Sequence, residues 1–223
     1  MPIKVVFFDV GETLVDETRQ KTIWADWLGV PAFTFMGLLG AAIERGEDHQ
    51  QVYHQVRPGF DWKRERAAQI AAGIPWAIAA ADLYPDALPC LEALRVEGYR
   101  VGLAGNQPAD AEQLLREMGL PVDYIATSAG WGVEKPSPAF FARVIEEAGV
   151  PAAEIAYVGD RVDNDIIPAK AAGMLAIFLR RGPWGYTHAL HRQDDMADIR
   201  LESLMELPAA LRRANGFRGF SGS

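Results

Sequence analysis

The sequence predicts an α/β fold, a parallel sheet with helices on both faces and an all-helical insertion after its first strand. Three observations lead there. Lys4–Phe8 is an unbroken run of β-branched and aromatic residues after its first position, which suits a strand buried on both faces. From Tyr84 onward, short apolar segments alternate with amphipathic helical stretches. Between them, Asp16–Asp82 shows helical periodicity and no strand pattern.

In chain order, the first strand ends abruptly at Asp9. The insertion then carries Ile23, Trp24, Trp27 and Leu28 within Thr22–Leu28, and Phe35, Met36, Leu39 and Ile43 within Phe33–Ile43. Both sets have the spacing of an amphipathic helix. Further helices are expected over Glu47–Val56, Trp62–Ala72 and Trp76–Ala81. The aromatic residues read as a small core of their own. Leu88–Glu97 is a helix stopped by Gly98, followed by a strand over Tyr99–Ala104. Ala109–Met118 is a helix ended by Gly119. A strand over Tyr124–Thr127 leads into a loop over Ser128–Pro136. Ser137 is placed as an N-cap with Pro138 in the first turn of a helix that runs to Ala148. Glu154–Val158 is a buried strand, Ile166–Ala172 a short helix, and Leu175–Leu179 the last expected strand. Repeated strand–helix units imply right-handed crossovers and a Rossmann-like parallel sheet.

Composition narrows the function. The 223 residues are 49% apolar and 23% charged, ordinary for a globular chain with a real core. A net charge of −8 and a pI near 5.0 leave no basic stripe for nucleic acid. The single cysteine excludes an intramolecular disulfide and fits a reducing cytoplasm. Cys90 lies in an Ala/Leu-rich helical run and reads as a small core residue. The N-terminus enters the first strand directly, so no signal peptide is expected, and no apolar run reaches the ~18 residues of a membrane span. Asn215–Ser223 is rich in Gly and Ser and reads as a frayed end.

Residues of chemical use follow several strands: Asp9 after the first, Asn106 after the second, Lys135 after the third, Asp160 and Asp165 after the fourth. Each alone is unremarkable as a turn, loop or N-cap residue. Together they should gather along one edge of the sheet, where open α/β sheets place ligands. Three carboxylates there call for a counter-charge, and a divalent cation with oxygen ligands supplies one.

These residues sit in motifs that resemble the haloacid dehalogenase superfamily of hydrolases. The first motif is DVGETL, Asp9–Leu14. The third is Lys135 in GVEKPSP, and the fourth is GDRVDND, Gly159–Asp165, followed by AAGM. Order and spacing together, including the insertion after the first motif, extend the resemblance over essentially the whole chain. It implies a core domain of residues 1–15 and 85–223 and a helical cap domain of residues 16–84, closing over the site. It implies that Asp9 is the nucleophile and that phosphoryl transfer passes through an aspartyl-phosphate. Lys135 would neutralise charge on Asp9 and on the transferring group. Mg2+ would be held by Asp9, the backbone carbonyl of Gly11, Asp160 and Asp165. The implied partner is a small phosphorylated molecule, with neither nucleic acid nor membrane, and the chain is expected as a cytoplasmic monomer or homodimer.

Two positions depart from the family pattern. Its phosphatases carry an aspartate two residues after the nucleophile as general acid and base, and here that residue is Gly11. Loss of a positioned acid/base lowers rates by roughly 10²–10⁴-fold. Glu12 and Asp16 are the candidate substitutes, each displaced along the loop. The second motif normally offers Ser or Thr to a phosphate oxygen, and here the aligned residue is Gly105. Asn106 is the nearest side-chain donor.

The departures leave alternatives. One is a non-phosphatase member that cleaves C–P or C–halogen bonds, since such relatives also lack the second aspartate. The Asp160/Asp165 pair argues against the metal-free dehalogenase branch, and a Schiff-base route would need Lys21 or Lys63, both read as solvated. Another is a catalytically silent binding protein on the same scaffold. His49 and His54 are five apart and miss paired-ligand spacing. Arg57 reads as a solvated residue, and Arg180–Trp184 as packing against the sheet.

Overall fold

A computed structural model describes residues 1–74 and 78–219 and divides the chain into two compact units. One comprises Met1–Asp16 and the chain from Ala79 onward; the other is Glu17–Ile78. The first strand, β1 (Val5–Phe8), is buried at every position, as its apolar run requires.

Unit Glu17–Ile78 is helical: α1 (Thr18–Leu28), α2 (Ala32–Glu44), α3 (Gln51–Val56) and α4 (Trp62–Ala71). Trp24, Phe35, Tyr53 and Phe60 form its buried centre. Trp24 meets Tyr53 edge-on at 5.6 Å between ring centroids. Arg57 is an internal strut, not a solvated residue. It donates to the Glu65 carboxylate (2.6 Å) and to the Trp27 carbonyl (2.9 Å), while the Trp27 indole also donates to Glu65 (2.9 Å). Lys21 is likewise largely covered and pairs with Glu17 at 2.7 Å. Of the expected Trp76–Ala81 helix, residues 76 and 77 lie outside the described residues, and Ala80–Asp82 forms a 3₁₀ turn.

The larger unit continues with α5 (Ala87–Val96), β2 (Arg100–Gly105), α6 (Ala109–Glu117) and β3 (Tyr124–Thr127). The expected loop after β3 contains a short helix, α7 (Ser128–Trp131), capped by the Thr127 hydroxyl. Then come α8 (Pro138–Ala148), with Ser137 as its N-cap, and β4 (Ile155–Gly159). A single π turn at Val162–Ile166 runs into α9 (Ile167–Ala171), and β5 (Leu175–Leu179) follows. Beyond β5 lie α10 (Gly182–Leu190), a short sixth strand β6 (Ile199–Leu201), and α11 (Leu207–Gly219). The sequence reading missed β6 because three residues with a charged centre carry no periodic signal. It also missed α11, which starts well before the Gly/Ser-rich end. Asn215 is an anchored residue: its side-chain oxygen Oδ1 accepts from the Ile3 amide at 2.6 Å.

All six strands are parallel, in the order β3-β2-β1-β4-β5-β6. From β1 the chain winds outward through β2 and β3, then crosses back to place β4 on the other side of β1. The winding reverses between β1 and β4. Loops on either side of such a reversal diverge and open a crevice at the carboxyl ends of the strands. Asp9 and Asp160 occupy those two ends.

Candidate active site

Asp9 extends β1 by one ladder bond, its amide donating to the Val158 carbonyl at 2.9 Å. Asp160 follows β4 directly, and Asp165 lies on the π turn, which swings its carboxylate back toward the strand end. The Arg161 amide donates to Asp165 at 3.0 Å and fixes that orientation. Gly159 makes the approach feasible, since a Cβ there would fall 2.3 Å from the Asp165 carboxylate. One oxygen from each of Asp9, Asp160 and Asp165 lies within 4.8 Å of the others.

The Lys135 ammonium is buried between two of the three. It donates to Asp9 Oδ1 and to Asp165 Oδ1, both at 2.6 Å. The Phe140 and Tyr157 rings flank it at 6.0 and 5.6 Å. Burial alone would depress its pKa, but the Asp165 and Asp9 carboxylates outweigh that and hold it well above the ordinary lysine value.

Asp160 is in the opposite situation. Both its carboxylate oxygens are buried without a hydrogen-bond partner among the described residues. Burial, reinforced by Asp165 and Asp9, pushes its pKa well above the usual carboxylate range. Burial also lifts Asp165, to about 6, against the pull of Lys135. A buried pair of oxygens without donors, beside two further carboxylates, fits a hard divalent cation bound through oxygen. This cluster could hold a metal ion.

Position 105 lies against Asp9: a Cβ on Gly105 would come 2.7 Å from Asp9 Oδ1. Asn106 is engaged with the backbone of Lys135. Its carbonyl accepts from the Lys135 amide (2.8 Å) and its amide donates to the Lys135 carbonyl (2.9 Å). The side chain therefore clamps the lysine-bearing loop, which takes up most of the capacity expected for phosphate.

Glu12 sits on the turn after Asp9 with φ of 54°, a left-handed conformation that is uncommon for a residue with a Cβ. Its side chain is buried and accepts from the Tyr84 hydroxyl at 2.7 Å. The Arg181 guanidinium lies 4.1 Å from the centre of the Tyr84 ring. Arg181 also donates to the Thr13 carbonyl (2.8 Å) and to Asp86 (2.5 Å). Gly182 leaves the space that Glu12 fills, because a Cβ there would meet the Glu12 side chain at 2.6 Å. The sequence pointed to Glu12, read Arg181 only as part of a stretch packing against the sheet, and gave no sign of Tyr84; both partners come from remote segments. The Asp16 amide donates to the Asp82 carbonyl at 2.8 Å. His188, also unassigned by the sequence, is buried and accepts from the Val162 amide at 2.9 Å. Cys90 is buried, which raises its thiol pKa to about 12 and leaves it a core residue.

Comparison with known proteins gives the family. A profile described as haloacid dehalogenase-like hydrolase covers residues 3–173. The chain belongs to the haloacid dehalogenase-like hydrolase family. The glyceraldehyde 3-phosphate phosphatase of Methanopyrus kandleri is 28% identical over 94% of this chain and 97% of its own. The phosphoglycolate phosphatase of Rhodospirillum rubrum is 33% identical, with 88% and 89% covered. Among solved structures, a HAD phosphatase from Thermococcus onnurineus superposes with a TM-score of 0.59 at 25% identity, covering 94% of this chain and 98% of that one. The protein is therefore a hydrolase of this family with its α/β fold. Among the described residues, no single helix is long and apolar enough to cross a membrane.

Proposed function

We propose that the protein is a Mg2+-dependent phosphohydrolase of small phosphorylated molecules, working through an aspartyl-phosphate on Asp9. The observation that carries this reading is the arrangement around Lys135, which ties Asp9 to Asp165 while Asp160 keeps two buried oxygens without donors. The names of the phosphatase relatives support the substrate class. Mg2+ would be held by Asp9, Asp160, Asp165 and the Gly11 carbonyl, and when bound it would offset negative charge on the phosphoryl oxygens.

The chain's own groups account for the rest. Lys135 holds Asp9 at the strand end with one carboxylate oxygen engaged. Asp9 attacks phosphorus, and the bond to the leaving oxygen breaks. Water then attacks the aspartyl-phosphate, releasing inorganic phosphate and restoring the carboxylate. Gly11 can neither protonate the leaving oxygen nor activate the water. We assign that exchange to Glu12, which is buried on the same turn and oriented by Tyr84. The unit Glu17–Ile78 is proposed as the cap that closes over the site, in solution within the cytoplasm as a monomer or homodimer.

The test is hydrolysis of an aryl phosphate with Mg2+ and with a chelator. Activity should require the metal and vanish in Asp9→Asn, whose amide is a far poorer nucleophile. Activity in Asp9→Asn near wild type would place the chemistry elsewhere.

A further inference from the structure

We infer that the side-chain amide of Gln107 donates to the phosphoryl oxygens of the substrate, in the role left open by the missing side chain at Gly105. The inference rests on the reading of the site as a phosphohydrolase centre and adds a substrate-binding residue to it.

Three observations converge. The first is that position 105 cannot simply regain a hydroxyl. A Cβ there would lie 2.7 Å from Asp9 Oδ1 and 3.4 Å from the Val10 amide nitrogen, so Asp9 itself would have to move. The second is that Asn106 is held to the Lys135 backbone through both ends of its amide, which fixes its plane along that loop. The third concerns Gln107 itself. It is only 8% exposed, its side-chain amide makes no hydrogen bond among the described residues, and that amide still reaches solvent.

The backbone around Gln107 is fixed. The Gln107 carbonyl accepts from the Ala129 amide (3.4 Å) and the Ser128 hydroxyl (3.3 Å), which ties the loop to α7. It lies two residues beyond the carboxyl end of β2, the strand that pairs with β1 in register up to Phe8↔Leu103. Gln107 therefore stands at the ligand edge of the sheet, on the loop after the strand that pairs with β1. Its amide provides two N–H donors and no charge, which suits phosphate oxygens without drawing Lys135 away from the carboxylates.

The experiment compares Gln107→Met with wild type, using inorganic phosphate as a competitive inhibitor of aryl phosphate hydrolysis. Met keeps the length of the side chain and removes the donors. An amide that contacts the phosphoryl group in both ground and transition states contributes uniform binding. The inhibition constant of phosphate and KM should both rise, on the order of ten-fold, with kcat little changed. The melting temperature should hold or increase, because an amide without a protein partner has been replaced by an apolar group. An inhibition constant and KM within two-fold of wild type would overturn the inference while leaving the phosphohydrolase reading intact. A marked fall in melting temperature would also overturn it, by giving Gln107 a structural role. A wild-type protein without Asp9-dependent hydrolysis overturns both, and that result is read from Asp9→Asn, not from Gln107→Met.

Discussion

Asp160 concentrates the electrostatic tension of the site. A carboxylate buried without donors beside Asp9 and Asp165 destabilises the metal-free fold. Its pKa is raised well above the usual carboxylate range, and that of Asp165 is raised from 3.8 to about 6. A carboxyl whose folded pKa is raised holds protons that the unfolded chain releases, so its stabilising contribution is present at low pH and lost as pH rises. For Asp165 that loss runs from about pH 4 to about pH 6. Thermal unfolding of metal-free wild type should therefore show stability falling across this window. Asp160→Asn should be more stable than wild type at neutral pH, with a flatter dependence, and should lose Mg2+ binding by calorimetry. An Asn variant that is less stable and still binds Mg2+ would remove Asp160 from the metal site. Glu12 gives a second residue-scale prediction. Without its carboxyl, the leaving oxygen must depart unprotonated. Glu12→Gln should lower kcat by roughly 10²–10⁴-fold for alkyl phosphates and much less for aryl phosphates. An equal loss on both substrates would show that Glu12 is not the proton carrier.

At the scale of elements, β1, β2 and β3 share one row in which a glycine faces two aromatic rings. Gly102 pairs with Phe7 on one side and Tyr124 on the other. The Phe7 ring covers the glycine and stacks on Tyr124 at 5.7 Å. A Cβ on Gly102 would lie 2.4 Å from that ring, so the absent side chain is a packing requirement. Gly102→Ala should destabilise by about 1–3 kcal/mol through overpacking, measured by urea unfolding, despite the better strand propensity of alanine. A neutral result would mean that the Phe7 ring rotates away at little cost. The consequence reaches the site, since β1 and β2 carry Asp9 and Gly105 at their ends.

For the α/β unit as a whole, α11 returns the chain to its beginning. Asn215 accepts from the Ile3 amide and donates to the Tyr99 hydroxyl at 3.1 Å, so one side chain joins α11 to segments flanking β1 and β2. Asp86 performs a similar service before α5, accepting from Arg181 (2.5 Å), the Ser203 hydroxyl (2.7 Å) and the Leu204 amide (3.0 Å). Asn215→Ala should lower stability by about 1–3 kcal/mol, because it leaves the Ile3 amide without its acceptor. Truncation before α11 should cost more, through loss of the buried Leu207, Ala210 and Leu211. Unchanged unfolding in Asn215→Ala would mean that water replaces the bond.

The sequence by itself determined the fold class, the chain order of most strands and helices, and the carboxylates Asp9, Asp160 and Asp165 with Lys135. These are legible because burial on both faces leaves an unmistakable apolar run, and because a parallel sheet delivers strand ends to one edge. Gly11 and Gly105 were equally plain, since an absent side chain is visible in one dimension. Only the tertiary structure decided what Asn106, Gln107, Tyr84, Arg181 and His188 touch. Their partners are remote in sequence, and no periodicity encodes a contact between residues such as Glu12 and Tyr84. It also decided β6 and α11, whose local signals are short or diluted by glycine and which are held by packing and by single bonds to distant segments.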